Sequence, residues 1–175
     1  MRPQLTHLGV YSSNLDGMEK FYKEVLNLMV TDRGHVQRLG GVKIVFMSAN
    51  PGSHHQFVMI EKTDMPGQST INQISFRVDG LPTLREVYKR LSAAGTGAIH
   101  PVSHGNAWSI YGSDPDGNGI EVYTDTPWYV AQPHGKPLDL GLTDEEIYRT
   151  TEAAVRTDPT FRPVGEWAED FRQKL

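Results

Sequence analysis

The chain predicts an α+β fold in which two paired βαβββ modules form a curved mixed sheet around a central cleft, followed by a helical C-terminal tail. Three observations predict it. "THLGVYSSNLDGMEKFYKEVL", Thr6 to Leu26, lies without a gap on "NQISFRVDGLPTLREVYKRLS", Asn72 to Ser92, at an offset of 66 residues. In that overlay Leu15 meets Leu81, Met18 meets Leu84, Phe21 meets Val87 and Tyr22 meets Tyr88, so the apolar phase is shared. The order of strand-like, turn-like and helix-like pieces is shared too, and self-similarity at a fixed period marks a repeated structural unit.

Each element follows from local pattern. Both copies open on a short alternating run, pass a polar turn at Asn14 or at Asp79 and Gly80, and enter a segment with apolar residues at i, i+3, i+4 and i+7, which reads as strand, cap and amphipathic helix. The strand-like pieces that follow are "LMVTDRG", "VQRLGGVKIVFMSA" and "HHQFVMIEKT" in the first copy, and "NAWSIYGS" and "GIEVYTD" in the second, the last two separated by "DPDGNG". Lys62 to Thr70 reads as the linker. Residues 1–125 therefore form the paired domain, with module one over 4–63 and module two over 70–125, and 126–175 form an extended segment and terminal helices. In that tail Pro-punctuated "TPWYVAQPHGKPLDLGL" is extended, with Trp128 and Tyr129 as anchors. Thr143 with Glu146 three residues on is a capping box that opens a helix, and "VGEWAEDFRQKL" reads as a second one. His134 reads as a surface residue.

Composition narrows the chemistry. A formal charge of -4 with both signs interspersed offers no basic footprint for nucleic acid or an anionic membrane. The absence of cysteine removes disulfides, thiolate metal sites and cysteine nucleophiles, so a metal needs His and oxygen ligands. No run of 18 apolar residues and no apolar leader is seen, so the expectation is a soluble cytoplasmic protein.

Glu121 then poses the central question, because it sits among apolar and aromatic neighbours in "IEVYTDTPWYV" and an isolated buried carboxylate is very costly. Subtracting the repeat offset of 66 from position 121 gives His55, and one step further gives Gln56, while His7 in the first opening strand matches Gln73 in the second. Pairing about a pseudo-twofold axis brings His7, Gln73, Glu121 and the His55/Gln56 pair toward one concave surface. Imidazole, carboxylate and amide oxygen with open positions suit Fe(II), Mn(II), Ni(II) or Zn(II). The residues leave alternatives open: His7 as an ordinary edge residue, and Glu121 in a structural ion pair with Arg77 or Arg85.

The duplication, His7 at the head of "THLGVYSSNLDGMEKFYKEVLNL" and the ending "DPDGNGIEVY" resemble the vicinal oxygen chelate superfamily, which includes glyoxalase I, fosfomycin and bleomycin resistance proteins and extradiol dioxygenases. The resemblance covers about Leu5 to Asp125. Within it, "HHQFVMIE" and "SHGNAWSIYGSDPDGNGIE" resemble one-domain extradiol, catechol-type dioxygenases. That resemblance implies Fe(II) held by His7 and Glu121, His55 and His104 as imidazoles near a bound aromatic diol and dioxygen, and Tyr111 as a hydroxyl in the same cavity. It also implies a second metal-binding His at position 73, where this chain has Gln73, a weaker donor for Fe(II). Three outcomes stay open: Gln73 ligates, His55 moves in, or the site holds no metal. Alternation places Ser109 and Tyr111 on one strand face and Trp108 and Ile110 on the other. Tyr111 bonded to backbone and His104 exposed on a loop are the bland alternatives. Two other activities of the superfamily stand beside ring cleavage of 2,3-dihydroxybiphenyl-like diols: a metal-dependent isomerase or thiol transferase, which prefers a carboxylate on the first module's closing strand, and metal-free binding of the bleomycin-resistance type. A tail with aromatic anchors fits a homodimer.

Overall fold

The computed structural model describes residues 5–62 and 71–173, so the expected linker lies, apart from Lys62, outside the described residues. The chain divides into two compact units, Met1–Asn72 with Ser113–Asn118, and Gln73–Gly112 with Gly119–Leu175. No helix among the described residues is long and apolar enough to cross a membrane.

The first unit contains β1 (Leu8–Ser12), α1 (Leu15–Glu24), β2 (Met29–Val36), β3 (Val42–Ser48) and β4 (Phe57–Glu61), with the sheet order β1-β4-β3-β2 and β1 parallel to β4. Asn14 starts α1 by accepting the Gly17 N–H at 3.1 Å. Leu15, Met18, Phe21 and Tyr22 form the helix's buried stripe, and the Tyr22 ring packs on Phe57 with centroids 4.2 Å apart. The long run expected over "VQRLGGVKIVFMSA" is broken. A 3-10 turn at Gln37–Leu39 leads into Gly40 and Gly41 at φ +82° and +80°, a left-handed conformation that glycine adopts without a Cβ penalty, and the chain reverses there into β3.

Tyr22 also serves the "DPDGNG" turn. Its hydroxyl donates at 3.0 Å to Asp114 Oδ2, while Asp114 Oδ1 accepts the backbone N–H groups of Asp116 and Asn118 at 3.1 and 2.9 Å. Burial, more than the neighbouring carboxylates, pushes the Tyr22 phenol far above its ordinary range, and burial likewise raises Asp114 against the hydrogen bonds that favour its charge. Tyr22→Phe keeps the ring packing and deletes one donor to a buried carboxylate. It is expected to cost about 1–3 kcal/mol in a denaturant melt, with an unchanged m-value; a melt within error of the parent protein would show that this hydrogen bond is not a stabilising contact.

The second unit repeats the plan with β5 (Ile74–Arg77), α2 (Leu81–Ala94), β6 (His100–Ser103), β7 (Ala107–Ser113) and β8 (Gly119–Asp125). Its sheet order, β10-β6-β7-β8-β5 with β10 at Lys136–Pro137, reproduces that of the first unit with one added edge strand, and β5 is parallel to β8. The matching orders confirm the duplication. β6 is the strand that the sequence pattern does not announce. Leu81, Leu84, Val87 and Leu91 form the buried stripe of α2, and the sheet's apolar side carries Ile74, Trp108, Ile110, Ile120 and Val122, all at most 7 % exposed.

The tail belongs to this unit and comprises β9 (Trp128–Tyr129), β10 (Lys136–Pro137), α3 (Asp144–Val155), β11 (Arg162–Pro163) and α4 (Val164–Gln173). The capping box is present, with Thr143 N–H donating to Glu146 Oε2 at 2.9 Å and Glu146 N–H donating to Thr143 Oγ1 at 3.2 Å. Ile147, Thr151 and Val155 bury the inner face of α3, and Trp108 Nε1 donates to Thr151 Oγ1 at 2.9 Å. Trp128 is buried near Trp108, and Tyr129 stacks on Trp167 with centroids 5.2 Å apart, so both expected anchors hold the tail.

Strand register corrects one expectation. Leu8 pairs with Phe57, 49 positions on, whereas Ile74 pairs with Ile120, 46 positions on. Module one is thus three residues longer between its parallel strands. Glu121 opposes Ser75, and Val58 opposes Gly9, so the counterpart of Glu121 in the first unit is the buried Val58 and not His55 or Gln56. His55 and Gln56 precede β4, in the loop that enters it.

Candidate active site on the second sheet

The polar side of the second sheet collects Gln73, Ser75, Ser109, Tyr111 and Glu121, which alternation separates from the apolar side. Glu121 is the hub and is only 9 % exposed. Its Oε2 accepts from Gln73 Nε2 at 2.8 Å and Ser75 Oγ at 2.6 Å, and its Oε1 accepts from Ser109 Oγ at 2.9 Å and Tyr111 Oη at 2.6 Å. Four neutral donors therefore fill the roughly four acceptor sites of a carboxylate. Neither arginine pairs with it: Arg77 meets Asp125 at 3.4 Å, and Arg85 binds Asp144. The structural ion pair left open on sequence grounds is absent among the described residues.

His104, in the turn between β6 and β7, extends this set. Its Nδ1 lies 2.7 Å from the His134 carbonyl oxygen and its Nε2 lies 2.8 Å from Tyr111 Oη. A carbonyl only accepts, so Nδ1 carries the hydrogen and Nε2 of the neutral ring is an acceptor. Tyr111 has one proton for two partners, His104 Nε2 and Glu121 Oε1. The run from the His134 carbonyl to Glu121 thus holds three short contacts with two protons, and a third proton arriving at Nε2 completes it. Gly105 makes the turn at φ +74°, and a Cβ there would stand 2.6 Å from Val130 Cγ2 and 2.9 Å from Val155 Cγ1. His104, Tyr111 and Glu121 line a cavity of about 300 Å³ with Asn106, Tyr123 and Gln132.

Burial, and then the hydrogen bond and charge of Glu121, push the Tyr111 phenol up to about 12. The phenol is therefore neutral at and well above neutral pH. In the metal-free protein, the difference in alkaline ultraviolet titration between wild type and Tyr111→Phe is expected to rise near pH 12. Because the folded state keeps a proton that the unfolded chain loses near pH 10, stability contributed by this group is lost as pH rises through that window. A difference step at the ordinary tyrosine value would contradict the burial and hydrogen bonding assigned to this phenol.

In the first unit His7 and His55 stand edge to face with ring centroids 4.5 Å apart, and His55 Nδ1 lies 3.0 Å from His54 Nδ1. Desolvation, followed by the charges of His7 and His54, lowers His55, which favours the neutral form of that ring. Among the described residues no group of three or more His, Cys, Asp or Glu side chains is arranged to hold a metal ion. Gln73, Tyr111, His104 and Glu121 come together in one unit, and His7 and His55 come together in the other. Ser75 and the His134 carbonyl were missed. Ser75 was legible as the residue two positions beyond Gln73 on the same strand face, whereas a backbone carbonyl in a tail carries no sequence signal.

The comparisons bear on this arrangement. The family model described as Glyoxalase/Bleomycin resistance protein/Dioxygenase superfamily matches residues 4–122. Biphenyl-2,3-diol 1,2-dioxygenase 2 of Rhodococcus globerulus is 26% identical over 127 residues, covering 70% of this chain. The match spans 63% of that relative's length. Among solved structures, the glyoxylase/bleomycin resistance protein/dioxygenase domain from Frankia sp. EAN1pec is similar at a TM-score of 0.61 and 20% identity, covering 72% of this chain and 100% of that one. The fosfomycin resistance protein FosX of Listeria monocytogenes, complexed with Mn(II) and sulfate, is similar at a TM-score of 0.57 and 21% identity, covering 72% of this chain and 95% of that one. Those two likenesses show the shared fold. With the family model matched over residues 4–122, more than half of the chain, and both βαβββ units in place, the chain belongs to the glyoxalase/bleomycin resistance protein/dioxygenase superfamily.

Proposed function

We propose that the chain is an extradiol ring-cleavage dioxygenase that acts on a catechol-type aromatic diol, with 2,3-dihydroxybiphenyl-like compounds as the substrate class and Fe(II) as the cation. The observation that carries this reading is the hydrogen-bonded run from His104 through Tyr111 to Glu121 beside one cavity. The likeness to a biphenyl-diol dioxygenase supports the substrate class.

The donors fit a divalent cation. Glu121 is a buried anion without a cationic partner among the described residues, and Gln73 presents an amide whose oxygen and nitrogen exchange places by a half-turn. Gln73 and Glu121 would hold the metal as oxygen donors, which suit Mn(II) and Fe(II) better than softer ions. His7 belongs to the other unit and joins the ligand set on the resemblance alone, as does His55 as an imidazole near the oxygen. When bound, the metal supplies Lewis-acid polarisation and a common coordination sphere for diol and dioxygen. His104 Nε2 accepts the proton of a diol hydroxyl, its ring held by the His134 carbonyl. Tyr111 Oη then gives its hydrogen bond wholly to Glu121 Oε1. The proton count of the run is satisfied in that state and in no earlier one.

Anaerobic Fe(II) loading followed by assay with 2,3-dihydroxybiphenyl and substituted catechols tests the reading, with oxygen uptake and a yellow ring-opened product as the expected result. Neither signal across the panel ends it. The four neutral donors on Glu121 favour a second reading, metal-free binding of a small molecule, because the carboxylate is already satisfied. Metal content of protein purified without chelator separates the two.

A further inference from the structure

Under α3 lies a second cavity, about 360 Å³, which shares no lining residue with the one at Glu121. Its size falls within the range of small-molecule sites, and such sites combine an apolar wall with a few placed polar groups. Leu138, Leu142, Ile147 and Val155 supply the wall. Ser103 and Thr151, each only 7 % exposed, line it with hydroxyls. Ser103 Oγ accepts from Gly105 N–H at 3.4 Å and Thr151 Oγ1 accepts from Trp108 Nε1 at 2.9 Å. Neither hydroxyl donates its own hydrogen to a group among the described residues, so each has a donor to spare. Lys136, at the same cavity, makes no ion pair among the described residues.

Two buried hydroxyl-bearing residues and one lysine lining a cavity with an apolar wall complement a single anionic acceptor on an apolar body. Asp139 at the rim disfavours a dianion such as phosphate, since it adds a negative charge of its own. His134 also lines this cavity, and its carbonyl is the group that accepts from His104 Nδ1. We propose that the cavity under α3 is a binding site for small monocarboxylates with an apolar body, and that its occupancy is felt at His104 through the His134 carbonyl. The inference does not depend on the ring-cleaving reading.

Titrating benzoate into the full chain, with benzyl alcohol as the uncharged control, tests it by nuclear magnetic resonance. The probes are the Trp108 indole N–H, which donates to Thr151, and the His104 ring C–H. Both are expected to shift saturably with benzoate at concentrations up to about 10 mM, and the alcohol is expected to bind about tenfold more weakly. Lys136→Met, an exposed substitution that leaves the fold intact, should weaken benzoate about tenfold without changing the alcohol. Ala154→Phe, which adds a ring at a lining position, should weaken both. An absence of saturable shifts, or benzoate binding unaltered by Lys136→Met, overturns the site. A shift at Trp108 with none at His104 overturns the coupling.

Discussion

If the proposed function holds, Glu121→Gln is expected to lower Mn(II) or Fe(II) affinity by about 100-fold or more and to take ring-opening activity to background. The charge is the reason. Gln is nearly isosteric, but it removes the one formal negative charge in the donor set and replaces an acceptor oxygen with an N–H₂ group. Ser109 and Tyr111 on one side, and Gln73 and Ser75 on the other, all donate to Glu121, so at least one donor must turn away. The hydroxyls rotate and absorb most of this, which limits the stability loss to about 1–2 kcal/mol. Glu121→Ala is harsher, since it leaves four donors facing a void. Titration of Mn(II) followed by electron paramagnetic resonance reads the affinity, and a denaturant melt of the metal-free protein reads the fold. If Glu121→Gln folds and still binds metal like the parent chain, the cation sits elsewhere and the ligand assignment fails.

The features that repeat were legible in the sequence. Leu15, Met18, Phe21 and Tyr22 against Leu81, Leu84, Val87 and Tyr88 announced two helices with one packing phase, and the sheet orders agree. Thr143 and Glu146 announced α3 by a local capping pattern that needs no tertiary information. The residues set by register were not legible. A repeat offset carried past insertions pointed to His55 and Gln56, because a three-residue difference in the connections is invisible until the parallel pairs are seen. β6 was missed since His100–Ser103 is four residues with a proline and no alternation to detect. The alternative ion pair of Glu121 with Arg77 or Arg85 suggests itself because charge partners stand out in a sequence. The real partners of Glu121 include Ser75 and Ser109, whose hydroxyls matter only through the faces that the strands give them.

Gln73→His is the opposite experiment, a gain. In the present chain the Gln73 amide N–H₂ is divided between Glu121 Oε2 at 2.8 Å and Ser75 Oγ at 3.0 Å, so it solvates the anion that a cation would otherwise meet. To act as a ligand it must turn its oxygen inward, and the two donor bonds are lost in doing so. Imidazole avoids that conflict. It frees a lone pair on Glu121 Oε2 and supplies a nitrogen donor that binds Fe(II) more strongly than an amide oxygen. The expected gain in Fe(II) affinity is about 10–100-fold, with higher iron content in protein as purified and, on the proposed function, a rise in ring-cleaving rate at limiting iron. The metal-free variant should be less stable by about 1 kcal/mol, since a donor to a buried carboxylate is gone. Gln73→Leu separates the two causes: it releases Glu121 but adds no ligand, and so should leave metal binding no tighter than in the parent chain. An equal gain in Gln73→Leu and Gln73→His would assign the effect to the freed carboxylate oxygen alone, and no gain in either would place position 73 outside the metal's reach.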